Sequence, residues 1–74
     1  MAPWHAMPPQ QAATKYAALA ELRSAFAGIR CAAELIARNA RFSHERSLAW
    51  TIAKSAARGE RAVARIESVV RRQR

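Results

Sequence analysis

The chain has 74 residues, among them 13 Lys and Arg, five Glu and no Asp, which gives a formal net charge of +8. Such a length allows at most one domain with a small core. The basic excess predicts attraction to polyanions, which are nucleic acid, an acidic protein surface or an anionic membrane. A single Cys excludes a disulfide framework. The nineteen Ala favour an all-α fold. No apolar run approaches the roughly 20 residues of a membrane span.

Residues 1–8 predict an irregular, apolar arm rather than a helix. Pro3 and Pro8 disfavour regular structure, while Met1, Trp4 and Met7 are unusual in a solvated tail. Two interpretations stay open: the arm is disordered, or Trp4 docks on the helices or on a partner. The arm lacks the basic and apolar regions of a secretory signal, so together with the lone Cys we expect a cytoplasmic protein, in a bacterial or host-cell cytosol.

From about residue 9 to residue 39 the apolar spacing predicts a first helix. Its core stripe follows i, i+3, i+7 spacing and comprises Leu19, Leu22, Phe26, Ile29, Ala33, Ile36 and Ala40. Residues 40–43 are the predicted break, since Asn39 tolerates the left-handed conformation that ends many helices and Ser43 is a favourable N-cap.

A second helix is predicted from about residue 44 to residue 72. Its apolar stripe comprises Leu48, Ile52, Ala56, Gly59, Val63, Ile66 and Val70. Two long helices joined by a short break predict an antiparallel hairpin within residues 9–74. Because so small a hairpin is marginally stable alone, we expect two copies to pair as a four-helix-bundle homodimer. A helix-turn-helix over residues 34–50 is a weaker alternative, because its turn lacks the usual Gly and no third helix is evident.

Gly28 and Gly59 each interrupt a helical pattern, where Gly is about 1 kcal/mol less favourable than Ala. One interpretation is that they split the chain into three or four short helices. The other, which we favour for Gly59, is that a missing side chain lets the helices approach closely near Leu22 and Phe26.

A second face of the first helix carries small, nearly uncharged residues, which favour close helix contact. The members of this small-residue face are Ala17, Ser24, Gly28, Cys31, Ala32 and Leu35. We predict that it forms the dimer interface, with Cys31 as a small buried residue. The alternative is an ordinary solvent-facing surface rich in Ala.

The second helix carries a row of cations opposite its apolar stripe, with one aromatic residue at the start. This cationic ridge comprises Trp50, Lys54, Arg58, Arg61, Arg65 and Arg72. Glu60 and Glu67 are predicted on its flank, beside Arg71, where they do not neutralise it. Trp and Arg dominate binding hot spots, and Arg forms bidentate pairs with carboxylate or phosphate. The alternative is a solvated face that keeps the chain in solution.

The sequence contains no credible catalytic or metal-binding constellation. Without Asp, the five Glu give no obvious acid/base pair, and His5, Cys31 and His44 lack metal-ligand spacing. We therefore expect no enzymatic activity, no metal and no cofactor.

These features favour a small, non-catalytic, basic helical binding protein. We expect it to dock on an acidic protein surface or a nucleic-acid-handling complex, as an inhibitor or regulatory adaptor, a character it shares in kind with small phage-encoded inhibitors. The alternative is direct, sequence-nonspecific binding of DNA or RNA through the ridge. A membrane-active cationic helix is a weaker option.

Overall fold

The computed structural model describes residues 9–72, with side chains from residue 14 onward. They form two helices, α1 (Pro9–Asn39) and α2 (Ser43–Arg72), joined by residues 40–42. The helices pack along each other, which confirms the predicted all-α hairpin. Both run unbroken through their glycines, so the alternative of three or four short helices is excluded. The predicted arm of residues 1–8 lies outside the described residues.

Side chains, rather than a left-handed residue, close the turn between the helices. No residue in the described part has a positive φ angle, so the left-handed conformation predicted for Asn39 is wrong. Instead, Asn39 Nδ2 donates a hydrogen bond to the Leu35 carbonyl at 2.8 Å, and Arg46 Nη2 donates one to the Ala40 carbonyl at 2.9 Å. Both bonds supply partners to carbonyl groups in and just beyond the last turn of α1.

The start of α2 differs from the prediction of Ser43 as its N-cap. The Phe42 carbonyl accepts a helical hydrogen bond from the Arg46 amide at 3.1 Å, so Phe42 occupies the capping position. Ser43 therefore lies inside the first turn, where Glu45 meets the positive end of the helix dipole. The Phe42 and His44 rings form a tilted pair, 6.5 Å between centroids, beside this helix start.

The contact between α1 and α2 is lined mainly by alanine. The buried apolar residues of the described part are Ala33, Ala37, Ala49, Ala53, Ala56 and Val63. None is larger than Val, and Ala37 is completely buried at 0% exposure. Small side chains let two helices approach closely, so the contact consists mainly of alanine methyl groups instead of large interlocking side chains.

The predicted core stripes are only partly correct. Ala33, Ala56 and Val63 are buried as predicted, but six large aliphatic residues of the stripes are about half exposed. These are Leu22, Ile29, Ile36, Leu48, Ile52 and Ile66. The actual contact is rotated around each helix toward Ala37 and Ala53. Close contact between alanines leaves no room for Ile or Leu between the helices, which displaces these residues to one edge.

Gly59 is the point where a large side chain enters the helix contact. A Cβ atom built on Gly59 would lie 2.6–2.8 Å from three atoms of the Phe26 ring, closer than real Cβ contacts come. The missing side chain makes space for the ring, which confirms the close packing predicted there. Gly28, by contrast, would have no atom within 4 Å of an added Cβ.

Substituting the two glycines separates close packing from helix propensity. Gly28→Ala should raise the free energy of unfolding by about 1 kcal/mol, because Ala is the better helix former and its methyl group enters open space. Gly59→Ala has the same gain in propensity, but its methyl group collides with the Phe26 ring. We expect it to lower the free energy of unfolding by about 1–2 kcal/mol. Urea unfolding followed by circular dichroism at matched concentration measures both values.

A rescue variant tests the assigned cause. Adding Phe26→Leu to Gly59→Ala should restore part of the lost stability, because the shorter side chain leaves room for the new methyl group. Equal stabilisation by Gly28→Ala and Gly59→Ala would contradict the packing of Phe26 on Gly59.

Candidate functional site

One face of the hairpin carries the ion pairs that join the helices. Arg23 Nη1 lies 2.9 Å from Glu67 Oε1, and Arg30 Nε donates a hydrogen bond to Glu60 Oε1. Arg30 also lies 3.3 Å from Glu34 of its own helix. The hydrogen bond to Glu60, together with the negative charge of that carboxylate, raises the pKa of Arg30 above its usual value. This guanidinium therefore keeps its proton in all ordinary solutions.

The ion pairs show how the two helices are aligned. Arg23 and Arg30 are seven residues apart on α1, and their partners are seven residues apart on α2. One repeat further toward the turn, this register places Ala37 level with Ala53, and both are buried. Glu67 is itself buried, at 8% exposure, so its carboxylate depends on Arg23 for compensation.

The same ion pairs keep the carboxylates of Glu60 and Glu67 from neutralising the cationic ridge. The sequence predicts Glu60 and Glu67 beside Arg71, but in the structure they bind the arginines of α1 instead. Within residues 14–72, all ion pairs involve Arg23 or Arg30, and none involves a residue of the ridge. The positive charge along the outer side of α2 is therefore uncompensated.

The cationic ridge lies on the side of α2 that faces away from α1. All six of its residues are exposed, and Trp50 is 37% exposed. Arg58 and Arg72 donate hydrogen bonds to the hydroxyl groups of Ser55 and Ser68, at 3.5 and 3.2 Å. These neutral partners orient the guanidinium groups without neutralising them. At 1.5 Å of rise per residue, the row of cations spans about 27 Å.

A shallow depression of about 400 Å³ lies on the ridge. It is lined by Thr51, Lys54, Ala57, Arg58 and Arg61. Three cations and a hydroxyl group around an open depression suit a carboxylate or phosphate group, because Arg presents a planar fork of N–H donors to either. The structure thus brings Lys54, Arg58 and Arg61 together as an anion-binding arrangement, while Arg65 and Arg72 continue the row beyond it.

The small-residue face of α1 is exposed at all six of its positions. Cys31 is a free, exposed thiol, so the expectation of a buried cysteine is wrong for the single chain. Leu35 is the one large side chain of this face, and Gly28 adds none. The face is accessible for contact, but it offers little apolar area.

A second apolar surface was missed by the sequence analysis. This apolar groove, close to the turn, has a volume of about 530 Å³ and is lined by Ile29, Ala32, Ala33, Ile36, Glu45, Leu48, Ala49 and Ile52. It follows the edge of the helix contact opposite the ion pairs. The seven-residue spacing of Leu22, Ile29 and Ile36 is the signal that could have found it, since the pattern continues along one side of α1.

The described residues show no metal centre. Within them, no three His, Cys, Asp or Glu side chains are grouped to hold a metal ion, and His5 lies outside this part of the chain. Neither helix, over the same residues, combines the length and hydropathy needed to cross a membrane.

Comparison of the chain with models of protein families, with curated proteins and with solved structures found no match. A functional proposal therefore depends on the chain's own surfaces, which are the cationic ridge, the small-residue face and the apolar groove.

The Arg23–Glu67 pair should contribute to stability because the carboxylate is buried. Arg23→Gln should lower the free energy of unfolding by about 1–2 kcal/mol, since Glu67 loses its charged partner. Arg38→Gln is the matched control: Arg38 is exposed on the same helix and makes no ion pair within residues 14–72. We expect this control to change the value by less than about 0.5 kcal/mol. Equal effects of the two substitutions in urea unfolding would contradict a stabilising role for the pair.

Proposed function

We propose that this chain is a small, non-catalytic binding protein whose cationic ridge docks on an acidic surface of a protein partner, as an inhibitor or regulatory adaptor. The uncompensated charge of the ridge carries the proposal: its cations have no carboxylate partner within residues 14–72, because Glu60 and Glu67 bind α1. Attraction between opposite charges speeds encounter, and bidentate pairing of Arg with carboxylate orients the docked complex.

Trp50 supplies an apolar anchor at one end of the ridge. It is exposed and lies one helical turn before Lys54. A Trp side chain buries a large area when it docks, at a small cost in conformational freedom. Cations beside such an anchor are typical of binding hot spots, where a few aromatic and Arg residues supply most of the affinity.

The remaining exposed surface favours a protein partner over nucleic acid. Besides the six half-exposed aliphatic residues of the core stripes, four large hydrophobic side chains are exposed in the described part of the chain: Leu35, Phe42, Trp50 and Val69. Aliphatic side chains find complementary surfaces on proteins, whereas a nucleic acid presents mainly phosphate, sugar and base edges. A protein partner can therefore use more of this surface.

Direct, sequence-nonspecific binding of DNA or RNA is the second candidate. The length of the ridge supports it, because a straight row of cations can follow the phosphates of a backbone, and Trp50 can stack on a base. A helix-turn-helix mode of binding lacks support, since residues 9–72 contain no third helix and α1 packs along α2.

We further propose that the protein acts as a four-helix-bundle homodimer. In support, the described residues bury no apolar side chain larger than Val, which is a thin core for a chain of this size. A dimer would present two ridges, so it could engage two acidic sites with increased avidity. A cytoplasmic location is part of the proposal and suits the free, exposed thiol of Cys31.

Neutralising the centre of the ridge tests its role in docking. The triple variant Arg58→Gln, Arg61→Gln and Arg65→Gln should capture at least about tenfold less partner from a nuclease-treated lysate of the source cells. The expected loss follows because each exposed ion pair contributes up to about 1 kcal/mol. Quantitative pull-down measures capture, and circular dichroism verifies that the variant remains helical.

A second triple variant controls for net charge. Lys15→Gln, Arg38→Gln and Arg41→Gln remove the same charge from exposed positions outside the ridge and should retain capture within about threefold. Equal loss in both triples would contradict a specific role of the ridge. Capture that is abolished by nuclease, together with a salt-sensitive gel shift of random DNA or RNA, would favour the second candidate instead.

A further inference from the structure

Large aliphatic side chains form a continuous apolar face on one side of the hairpin. Its members are Leu22, Ile29, Ile36, Leu48, Ile52 and Ile66, each about half exposed. Four of them line the apolar groove. The seven-residue spacing places Leu22 and Ile66 on the same side of their helices, farther from the turn. A contiguous exposed apolar patch on so small a protein marks an interaction site.

The spacing of these residues is that of a helix-bundle contact. Leu22, Ile29 and Ile36 recur every seven residues on α1, and Ile52 and Ile66 are two such repeats apart on α2. Gly59 occupies the position midway between them, where the Phe26 ring fills the space. A seven-residue repeat keeps side chains on one side of a helix, so the two rows form a surface that suits further helices.

The charges are arranged so that two copies can meet on this face. Glu45 is the one charged residue that lines the groove. The cationic ridge is on the outer side of α2, and the interhelical ion pairs lie on the opposite face of the hairpin. A chain with a net charge of +8 repels its own copies most strongly through the ridge, so the apolar face, whose groove carries only the carboxylate of Glu45, is the favourable approach.

We propose that a second copy of this chain covers the apolar groove, packing face to face about a two-fold axis. This inference rests on the proposed self-association, and it moves the interface from the small-residue face to the groove. Covering the six half-exposed side chains of each copy removes on the order of 1,000 Å² of apolar surface from water, which a specific interface requires. Both cationic ridges and both Cys31 thiols then remain exposed in the dimer.

Two neighbouring residues provide a matched test of the interface. Leu35 and Ile36 are 59% and 60% exposed, but Ile36 lines the groove, whereas Leu35 belongs to the small-residue face. Sedimentation equilibrium should show a wild-type dimer whose Kd rises by about tenfold or more in Ile36→Gln, because a polar side chain replaces a buried one. Leu35→Gln should change the dimer Kd by less than about threefold.

The results for these two variants distinguish the choice of interface from self-association itself. If Leu35→Gln weakens the dimer and Ile36→Gln does not, the groove interface is overturned, while the proposed self-association stands. A wild-type chain that is monomeric at every accessible concentration would overturn both, and the docking role of the ridge would still be tested by the pull-down.

Thiol reactivity provides a readout that needs no substitution. Cys31 is exposed in the single chain and does not line the groove. Its rate of reaction with Ellman's reagent should be the same below and above the dimer Kd. Protection of the thiol that increases with dimer formation would place Cys31 in the interface and contradict the proposal.

Discussion

Alanine methyl groups line both sides of the contact between α1 and α2, and the rest of the structure depends on this contact. Ala37 and Ala53 are buried and lie level with each other in the register that the ion pairs define. Helices that approach this closely cannot hold Leu or Ile between them, so these side chains move to one edge. The Phe26 ring enters only where Gly59 provides space. The exposed apolar face is therefore a direct consequence of the alanine contact.

The charge distribution follows from the same geometry. At the other edge of the contact, Glu60 and Glu67 come within reach of Arg30 and Arg23 and are held there. Two of the three carboxylates of α2, those of Glu60 and Glu67, are thus used within the hairpin, and every charged residue of the cationic ridge is a cation. The hairpin consequently has an ion-paired face and an apolar face, besides the cationic ridge of α2 and the small-residue face of α1. We propose that the apolar face binds a second copy of the chain and that the cationic ridge binds an acidic partner.

The hairpin and the ridge could be predicted from the sequence because both depend on features local to one helix. Apolar periodicity, the break after Asn39 and the spacing of the cations of α2 are readable along the chain. The position of the contact could not be predicted, because Ala and Ile both count as apolar positions in such a pattern and the choice between them depends on the distance between the helices. The partners of Glu60 and Glu67 likewise depend on the register of α1 against α2. At Asn39, a side-chain hydrogen bond to the Leu35 carbonyl accompanies the helix end in place of the predicted backbone conformation.

Nuclear Overhauser contacts between methyl groups, measured in solution, test the alanine contact most directly. Contacts within one chain are expected between the methyl groups of Ala37 and Ala53, and between the Phe26 ring and the Gly59 α protons. In mixtures of labelled and unlabelled chains, contacts between chains should arise from Ile29 and Ile36. Intrachain contacts between Ile36 and Ile52 that fill the space between the helices, with none between Ala37 and Ala53, would contradict the account.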